Sequence, residues 1–315
     1  MEFKQYEVPA NGISLYVTEL GEGPVVLFCH GFPDTSYTWR EQMKAVASAG
    51  FRAIAPDMRG YGRSSAPSDP ALYTPLHTAG DLVGLLDALN IPSSVIVGHD
   101  WGASHAWNAA MMRPDRFKAV FCLSVPYFPR GDVSVFERMR TTGHESDFYM
   151  FEQIKPEADQ IWADAAVTIP GILYWASGSA PIDKRWNPLD PTRSLHRPAP
   201  GALPSWAKAD YVAHNVAEFT RTGFHGALNY YRAAEPYFYL SAAWKGAKIT
   251  QPSFYISGKA DGLAALYPPA EELRAGLPGL VGKLELDNVG HWTQHEASAE
   301  VSGQLVKFLR TVSPA

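Results

Sequence analysis

Cysteine is scarce in this chain of 315 residues, and long apolar runs are missing. Only Cys29 and Cys122 are present, each inside a predicted buried strand. We interpret them as free thiols in a reducing compartment, while a disulfide between them stays open. No run approaches the ~18 apolar residues of a membrane helix, and the residues after Met1 lack the regions of a signal peptide. The sequence therefore predicts a cytoplasmic protein that does not bind membranes.

Basic runs and nucleotide-binding motifs are also absent from the sequence. Lys and Arg total 27 against 32 Asp and Glu, so the formal net charge is -5 at pH 7. Because the basic residues are scattered, we expect no nucleic acid and no anionic membrane as a partner. No glycine-rich phosphate loop or dinucleotide fingerprint follows a predicted strand, so no cofactor is expected.

Hydrophobic residues make up 46% of the chain, and their spacing predicts alternating strands and helices at both ends. The predicted strands cover residues 3–8, 13–19, 25–29, 52–55, 95–97, 119–123, 253–257 and 283–286, and the predicted helices cover residues 35–49, 76–89, 103–112 and 297–311. An alternation of this kind is typical of a mostly parallel sheet covered by helices. The sequence therefore predicts the α/β class.

The middle of the chain follows a different pattern. Helix-like segments broken by Gly and Pro and dense in Tyr, Trp and Phe replace the strands there. We therefore predict a core over residues 1–129 and 246–315, with a helical cap inserted over residues 130–245. Residues 177–202 are rich in Pro, Gly and Ser and predict a long loop within this cap.

One motif indicates the chemistry, namely Gly98-His99-Asp100-Trp101-Gly102 between a predicted strand and a predicted helix. A sharp turn of this type usually presents a serine nucleophile. Aspartate at the same place is already ionised at neutral pH and needs no activating base. Attack by a carboxylate on an ester would only give an anhydride, whereas attack on an sp3 carbon gives an alkyl ester. Asp100 therefore predicts a nucleophile that acts on an epoxide or an alkyl halide.

Hydrolysis of that alkyl ester requires a base, an acid that orients the base, and an oxyanion hole. Asp261 and His291 each follow a predicted strand, where parallel sheets place catalytic groups. The order nucleophile, acid, histidine is the order found in the α/β-hydrolase fold. In that fold the backbone N–H groups of Phe32 and Trp101 would form the oxyanion hole.

Several segments closely resemble the epoxide hydrolases of the α/β-hydrolase fold. They are His30-Gly31-Phe32-Pro33 with Trp39-Arg40, residues 57–65, residues 98–102, and Gly290-His291-Trp292. The likeness covers about residues 24–129 and 250–309. It implies the α/β-hydrolase fold with an inserted helical cap, and a small hydrophobic epoxide as substrate.

Within the cap the resemblance implies two tyrosines that donate hydrogen bonds to the epoxide oxygen. Asn229-Tyr230-Tyr231-Arg232 resembles the family motif in which the second aromatic residue has this role, and it assigns the role to Tyr231. Tyr149 precedes Pro156 by seven residues, as the second tyrosine of the family does. Tyrosine donors suit an epoxide, because the opened ring carries developing alkoxide charge.

Two other functions stay open at this point. Haloalkane dehalogenases also carry an aspartate in the elbow, and the indole of Trp101 could hold a halide as it does there. They have asparagine or glutamate after His-Gly, however, where this chain has Phe32. Fluoroacetate dehalogenases place arginines where this chain has Trp101 and Ser104. The other alternative is a non-catalytic member of the fold that binds a hydrophobic ligand.

The histidines do not predict a metal site, and apart from His291 they are assigned no catalytic role. His291 and His295 stand four residues apart, but the glutamate and the third ligand of a metal motif are missing, so no metal is expected. His30, His99 and His105 are interpreted as structural hydrogen-bonding residues. A homodimer is one assembly that the sequence leaves open.

Overall fold

The computed structural model describes residues 1–312, which fold around one eight-stranded sheet with the order β1-β2-β4-β3-β5-β6-β7-β8. The strands are β1 (Lys4–Ala10), β2 (Ile13–Leu20), β3 (Val25–Cys29), β4 (Arg52–Pro56), β5 (Ser94–His99), β6 (Phe117–Leu123), β7 (Ser253–Gly258) and β8 (Leu280–Leu286). β2 runs antiparallel to both of its neighbours, and all other neighbouring strands are parallel. The predicted mostly parallel sheet is confirmed.

Helices cover both faces of this sheet. The helices are α1 (Arg40–Ser48), α2 (Pro75–Ala88), α3 (Trp101–Met112), α4 (Val135–Thr141), α5 (Met150–Gln153), α6 (Ala158–Trp162), α7 (Ala165–Trp175), α8 (Ala209–Thr222), α9 (His225–Arg232), α10 (Ala234–Leu240), α11 (Ala270–Gly276), α12 (Thr293–Glu296) and α13 (Ser298–Val312). On one face α1 contacts α13, and on the other α2 contacts α3.

Two hydrophobic clusters lie on the two faces of the sheet, because neighbouring side chains in a strand point to opposite sides. In β5, Val95 and Val97 belong to the cluster with Leu305 and Phe308 of α13. Ile96 belongs to the other cluster, together with Leu82 of α2. Burial on both faces explains why the central strands are continuous apolar runs in the sequence.

The chain between β6 and β7 forms seven helices, α4 to α10, and no strand within the described residues. Residues 177–202 contain a single 3-10 turn, Pro191–Arg193, and are otherwise irregular, as the Pro-rich and Gly-rich composition predicts. The limits of the cap at residues 130 and 245 stay a prediction.

Some element boundaries differ from the prediction. Residues 35–49 divide into a 3-10 turn, Ser36–Trp39, followed by α1. β8 begins at Leu280, three residues earlier than expected, because backbone pairing with β7 extends past Gly282. Helix α11 is not in the prediction, since it is short and follows two prolines. Such short elements depend on tertiary packing more than on local pattern.

Cys29 and Cys122 are buried free thiols on β3 and β6, which β5 separates, as the free-thiol interpretation predicted. Burial raises the pKa of both thiols, so neither is a reactive thiolate at neutral pH. Over residues 1–312, none of the helices has both the length and the apolar content needed to cross a bilayer.

Candidate active site

Asp100 occupies a strained turn between β5 and α3. Its backbone has φ 54° and ψ -124°, a conformation that residues other than glycine rarely adopt. The turn brings α3 very close to β3, since a Cβ atom on Gly102 would lie 2.1 Å from the carbonyl oxygen of Cys29. Backbone strain of this kind concentrates at functional sites. The turn therefore presents the Asp100 carboxylate at the carboxyl end of the sheet, as the motif predicts.

The two oxygens of the Asp100 carboxylate have different partners. The Phe32 backbone N–H donates to Oδ1 at 2.7 Å, and Oδ2 lies 3.3 Å from Nε2 of His291. Trp101 is the first residue of α3, so its N–H lies in the turn where the helix dipole favours negative charge. Burial alone would raise the pKa of Asp100, but the hydrogen bond and charge of His291 outweigh burial and lower that pKa. Asp100 is therefore ionised.

His291 lies between two carboxylates. Its Nδ1 is 2.9 Å from Oδ2 of Asp261, and Asp261 is held in turn by the Leu263 N–H at 3.0 Å and the Tyr267 hydroxyl at 3.1 Å. Burial disfavours the charged imidazole, but Asp261 and Asp100 outweigh burial and raise the pKa of His291 to about 10. At neutral pH the imidazole is therefore protonated and paired with both carboxylates.

Tyr149 and Tyr231 come together beside Asp100, although they are far apart in sequence. Their ring centroids are 6.0 Å apart at an angle of 85°. Tyr231 also packs edge-on against Trp101 at 5.1 Å and Phe32 at 5.3 Å. Burial, together with the nearby charge of Asp100, raises the pKa of both hydroxyls. Both tyrosines therefore keep their O–H protons at neutral pH and can act as donors.

Two residues that the sequence did not assign to the site hold the backbone of His291. The carbonyl of His291 accepts hydrogen bonds from Nε2 of His99 at 2.8 Å and from Oγ of Ser124 at 2.6 Å. Burial lowers the pKa of His99 to about 3, so His99 is a neutral donor. His99 was predicted to form structural hydrogen bonds, and the structure places its bond on the candidate base itself. Ser124 has no sequence signal, because it follows β6 in an irregular turn.

Asp34 is a buried carboxyl that sequence analysis also missed. It accepts hydrogen bonds from the Thr35 N–H at 2.9 Å, the Tyr211 hydroxyl at 2.9 Å and the Asn215 amide at 3.2 Å. Burial raises the pKa of Asp34 to about 7 in spite of these donors. Since Tyr211 and Asn215 belong to α8, Asp34 joins the Phe32 loop to the inserted helices. Its position directly after His-Gly-Phe-Pro is the signal that could have indicated it.

The two histidines that stand four residues apart do not share a ligand position. Nε2 of His295 lies 2.7 Å from the hydroxyl of Thr38, and its ring packs against Tyr211 at 4.2 Å. His291 faces the carboxylates of the elbow instead. Over residues 1–312, no group of three or more His, Cys, Asp or Glu side chains has the arrangement of a metal site.

This chain is similar to known proteins both in sequence and in structure. A family model described as the alpha/beta hydrolase fold matches residues 24–298. A Caballeronia sordidicola epoxide hydrolase is 78% identical over 310 residues, covering 98% of this chain and 94% of that protein. Epoxide hydrolase A of Mycobacterium tuberculosis is 38% identical and covers 96% of each chain. The crystal structure of epoxide hydrolase A from Mycobacterium thermoresistibile has a TM-score of 0.91 at 36% identity, covering 99% of each chain.

Proposed function

Because this chain belongs to the epoxide hydrolases of the α/β-hydrolase fold, we propose that Asp100, His291 and Asp261 carry out its conversion of an epoxide to a vicinal diol. Family membership confirms the fold and the activity predicted from the sequence, and it disfavours the dehalogenase and non-catalytic alternatives. The roles of the individual residues are our proposal. The observation that carries it is the Asp100 carboxylate, with one oxygen on the Phe32 N–H and the other facing His291.

In the first step Asp100 opens the epoxide ring. Oδ1 accepts the hydrogen bond from Phe32, which leaves Oδ2 as the attacking oxygen. A bond forms between Oδ2 and an epoxide carbon while the ring C–O bond breaks, and the ring oxygen takes up the electron pair. Tyr149 and Tyr231 donate hydrogen bonds to this oxygen as its charge develops. The product is an alkyl ester of Asp100 whose carbonyl oxygen, Oδ1, already lies in the oxyanion hole.

Formation of the ester changes the protonation of His291. The charge and hydrogen bond of Asp100 are among the causes of the raised pKa of His291. An ester carries no charge, so the pKa of His291 falls when Asp100 is alkylated. The proton that His291 then releases balances the proton that the alkoxide gains. His291 enters the second step as a neutral base.

In the second step His291 deprotonates a water molecule that attacks the Asp100 carbonyl carbon. Asp261 accepts the hydrogen bond from Nδ1 and keeps Nε2 available for the water. The oxyanion that forms on Oδ1 receives hydrogen bonds from the N–H groups of Phe32 and Trp101. When the bond from the carbonyl carbon to Oδ2 breaks, the leaving diol takes the proton from His291. One water oxygen stays in the carboxyl group of Asp100, and the second proton of the water passes from this group to His291, which restores the starting pair.

Replacing either Tyr149 or Tyr231 by phenylalanine tests the first step. Each variant loses one donor to the developing alkoxide, so we expect ring opening to slow by about 100-fold. The rate of ester hydrolysis should stay near the wild-type value, because no tyrosine is needed for it. Rapid mixing with styrene oxide, followed by mass spectrometry of quenched protein, measures the two rates separately.

A matched control for these variants is Tyr239→Phe, since Tyr239 lies on α10 and is 65% exposed. This control should behave like the wild type in both steps. Ring opening at the wild-type rate in both Tyr149→Phe and Tyr231→Phe would remove the tyrosines from the mechanism.

The residues around Asp100 also indicate the kind of substrate that the enzyme accepts. The aromatic rings of Phe32, Trp101, Tyr149 and Tyr231 surround Asp100, which supports a small hydrophobic epoxide as substrate. We infer that residues 130–245 act as the cap that contributes the two tyrosines. A cytoplasmic location and assembly as a homodimer stay predictions.

A further inference from the structure

Glu296 has a half-buried carboxylate next to the turn that carries His291. It ends α12 and accepts three hydrogen bonds, all from backbone N–H groups. Its Oε1 accepts from Trp292 at 3.1 Å, and its Oε2 accepts from Gly290 at 3.0 Å and from Gly178 at 2.8 Å. Two of these donors flank His291 directly. The third belongs to the loop that leaves α7, so one carboxylate joins two distant segments of the chain.

The two segments joined by Glu296 are packed closely against each other. The N–H of His291 itself donates to the carbonyl of Ala176 at 2.9 Å. A Cβ atom on Gly290 would lie 2.4 Å from the backbone nitrogen of Gly178. The position of the His291 turn is therefore set by residues 176–178 and by the carboxylate between the segments.

A carboxylate suits this position because only acceptors are needed there. None of the salt bridges formed by residues 1–312 includes Glu296, so backbone N–H groups supply its close partners. A buried N–H without an acceptor is costly, and these three converge on one side chain. Glutamine would keep one oxygen but would turn an NH2 group toward an N–H donor.

We propose that Glu296 is a positioning residue that holds His291 in place for hydrolysis of the Asp100 ester. This inference rests on the proposed function, in which His291 is the base of the second step. Ring opening needs Asp100 and the tyrosines, whereas hydrolysis needs Nε2 of His291 aligned with a water molecule. Loss of Glu296 should therefore slow the second step selectively.

The test compares Glu296→Gln with the wild-type enzyme in single-turnover reactions with styrene oxide. We expect ester formation at the wild-type rate and ester hydrolysis slowed by up to roughly 100-fold, since a misplaced catalytic group costs about that much. In the steady state kcat and KM should fall together, because the ester accumulates. Glu300→Gln is the matched control, since Glu300 is exposed on α13 and its side chain accepts a hydrogen bond from Gln304 one turn further along the helix; it should leave both steps unchanged.

Ester hydrolysis is a first-order step of the molecules that have already formed the ester, so its rate constant does not depend on how much of the protein is folded. Reduced stability therefore cannot mimic this result. If Glu296→Gln does not fold at all, Glu296→Asp keeps the charge on a shorter side chain that cannot reach both segments, and the same split is expected. Ester hydrolysis at the wild-type rate, or an equal slowing of both steps, would overturn the positioning role.

A parallel measurement on His291→Gln separates this inference from the proposed function. Trapped ester in His291→Gln with rapid hydrolysis in Glu296→Gln would overturn the positioning role alone. Rapid hydrolysis in His291→Gln would overturn the role of the base and the positioning role together.

Discussion

A His291→Gln variant is expected to become alkylated on Asp100 and to stay in that form. Ring opening needs no base, because the Asp100 carboxylate is itself the nucleophile, but hydrolysis of the ester does. The Phe32 N–H still lowers the pKa of Asp100 after His291 is replaced. We expect kcat to fall by about 10²- to 10⁴-fold, the usual contribution of general base catalysis. The intact mass of the variant, measured after mixing with styrene oxide, should increase by the mass of one epoxide molecule.

The matched control for this experiment is His144→Gln, because the His144 side chain is half-exposed and faces Asp147 rather than Asp100 or Asp261. This control should turn over like the wild type and show no adduct. An unmodified mass for His291→Gln, after a time in which the wild type converts the same epoxide, would contradict the assignment of the base.

The Asp100→Ala variant should lose activity more completely than any other single change. It removes the nucleophile, so neither the ester nor the diol can form by the proposed route. We expect kcat to fall by roughly 10⁴- to 10⁶-fold, as for the loss of other covalent nucleophiles. Diol production is measured by chromatography and the adduct by mass spectrometry; both should be missing.

Asp132→Ala is the control for this second variant. Asp132 is an exposed aspartate that forms a surface ion pair with Lys245. Its activity should match the wild type. Substantial diol formation by Asp100→Ala would mean that water attacks the epoxide directly, without a covalent intermediate.

The positions of the candidate catalytic residues could be predicted from sequence because their signals are local. The elbow is a run of five residues with two glycines, and Asp261 and His291 each follow an apolar strand. Parallel strands bring their carboxyl ends to one edge of the sheet, so the order along the chain was enough to bring these groups together. The two tyrosines, in contrast, were assigned by resemblance, since the inserted helices have no comparable rule of position.

The residues that support the site were missed because their roles depend on contacts distant in sequence. Ser124 and Glu296 are ordinary residues in the sequence, and only the folded chain brings them to the backbone around His291. The two oxygens of Asp100 contact different partners, Phe32 and His291, and this difference is visible only in three dimensions. Even the raised pKa of His291 results from two carboxylates, Asp261 and Asp100, that lie far apart in the chain and together outweigh burial.

The central claim is that the oxygen added to the epoxide comes from Asp100 rather than directly from water. A single turnover in water enriched in oxygen-18, with enzyme in excess over styrene oxide, tests it most directly. Mass spectrometry of the peptide that contains Asp100 should show one heavy oxygen in its carboxylate, and the first diol released should be unlabelled. Label found only in the diol, with an unlabelled Asp100 peptide, would contradict the covalent mechanism.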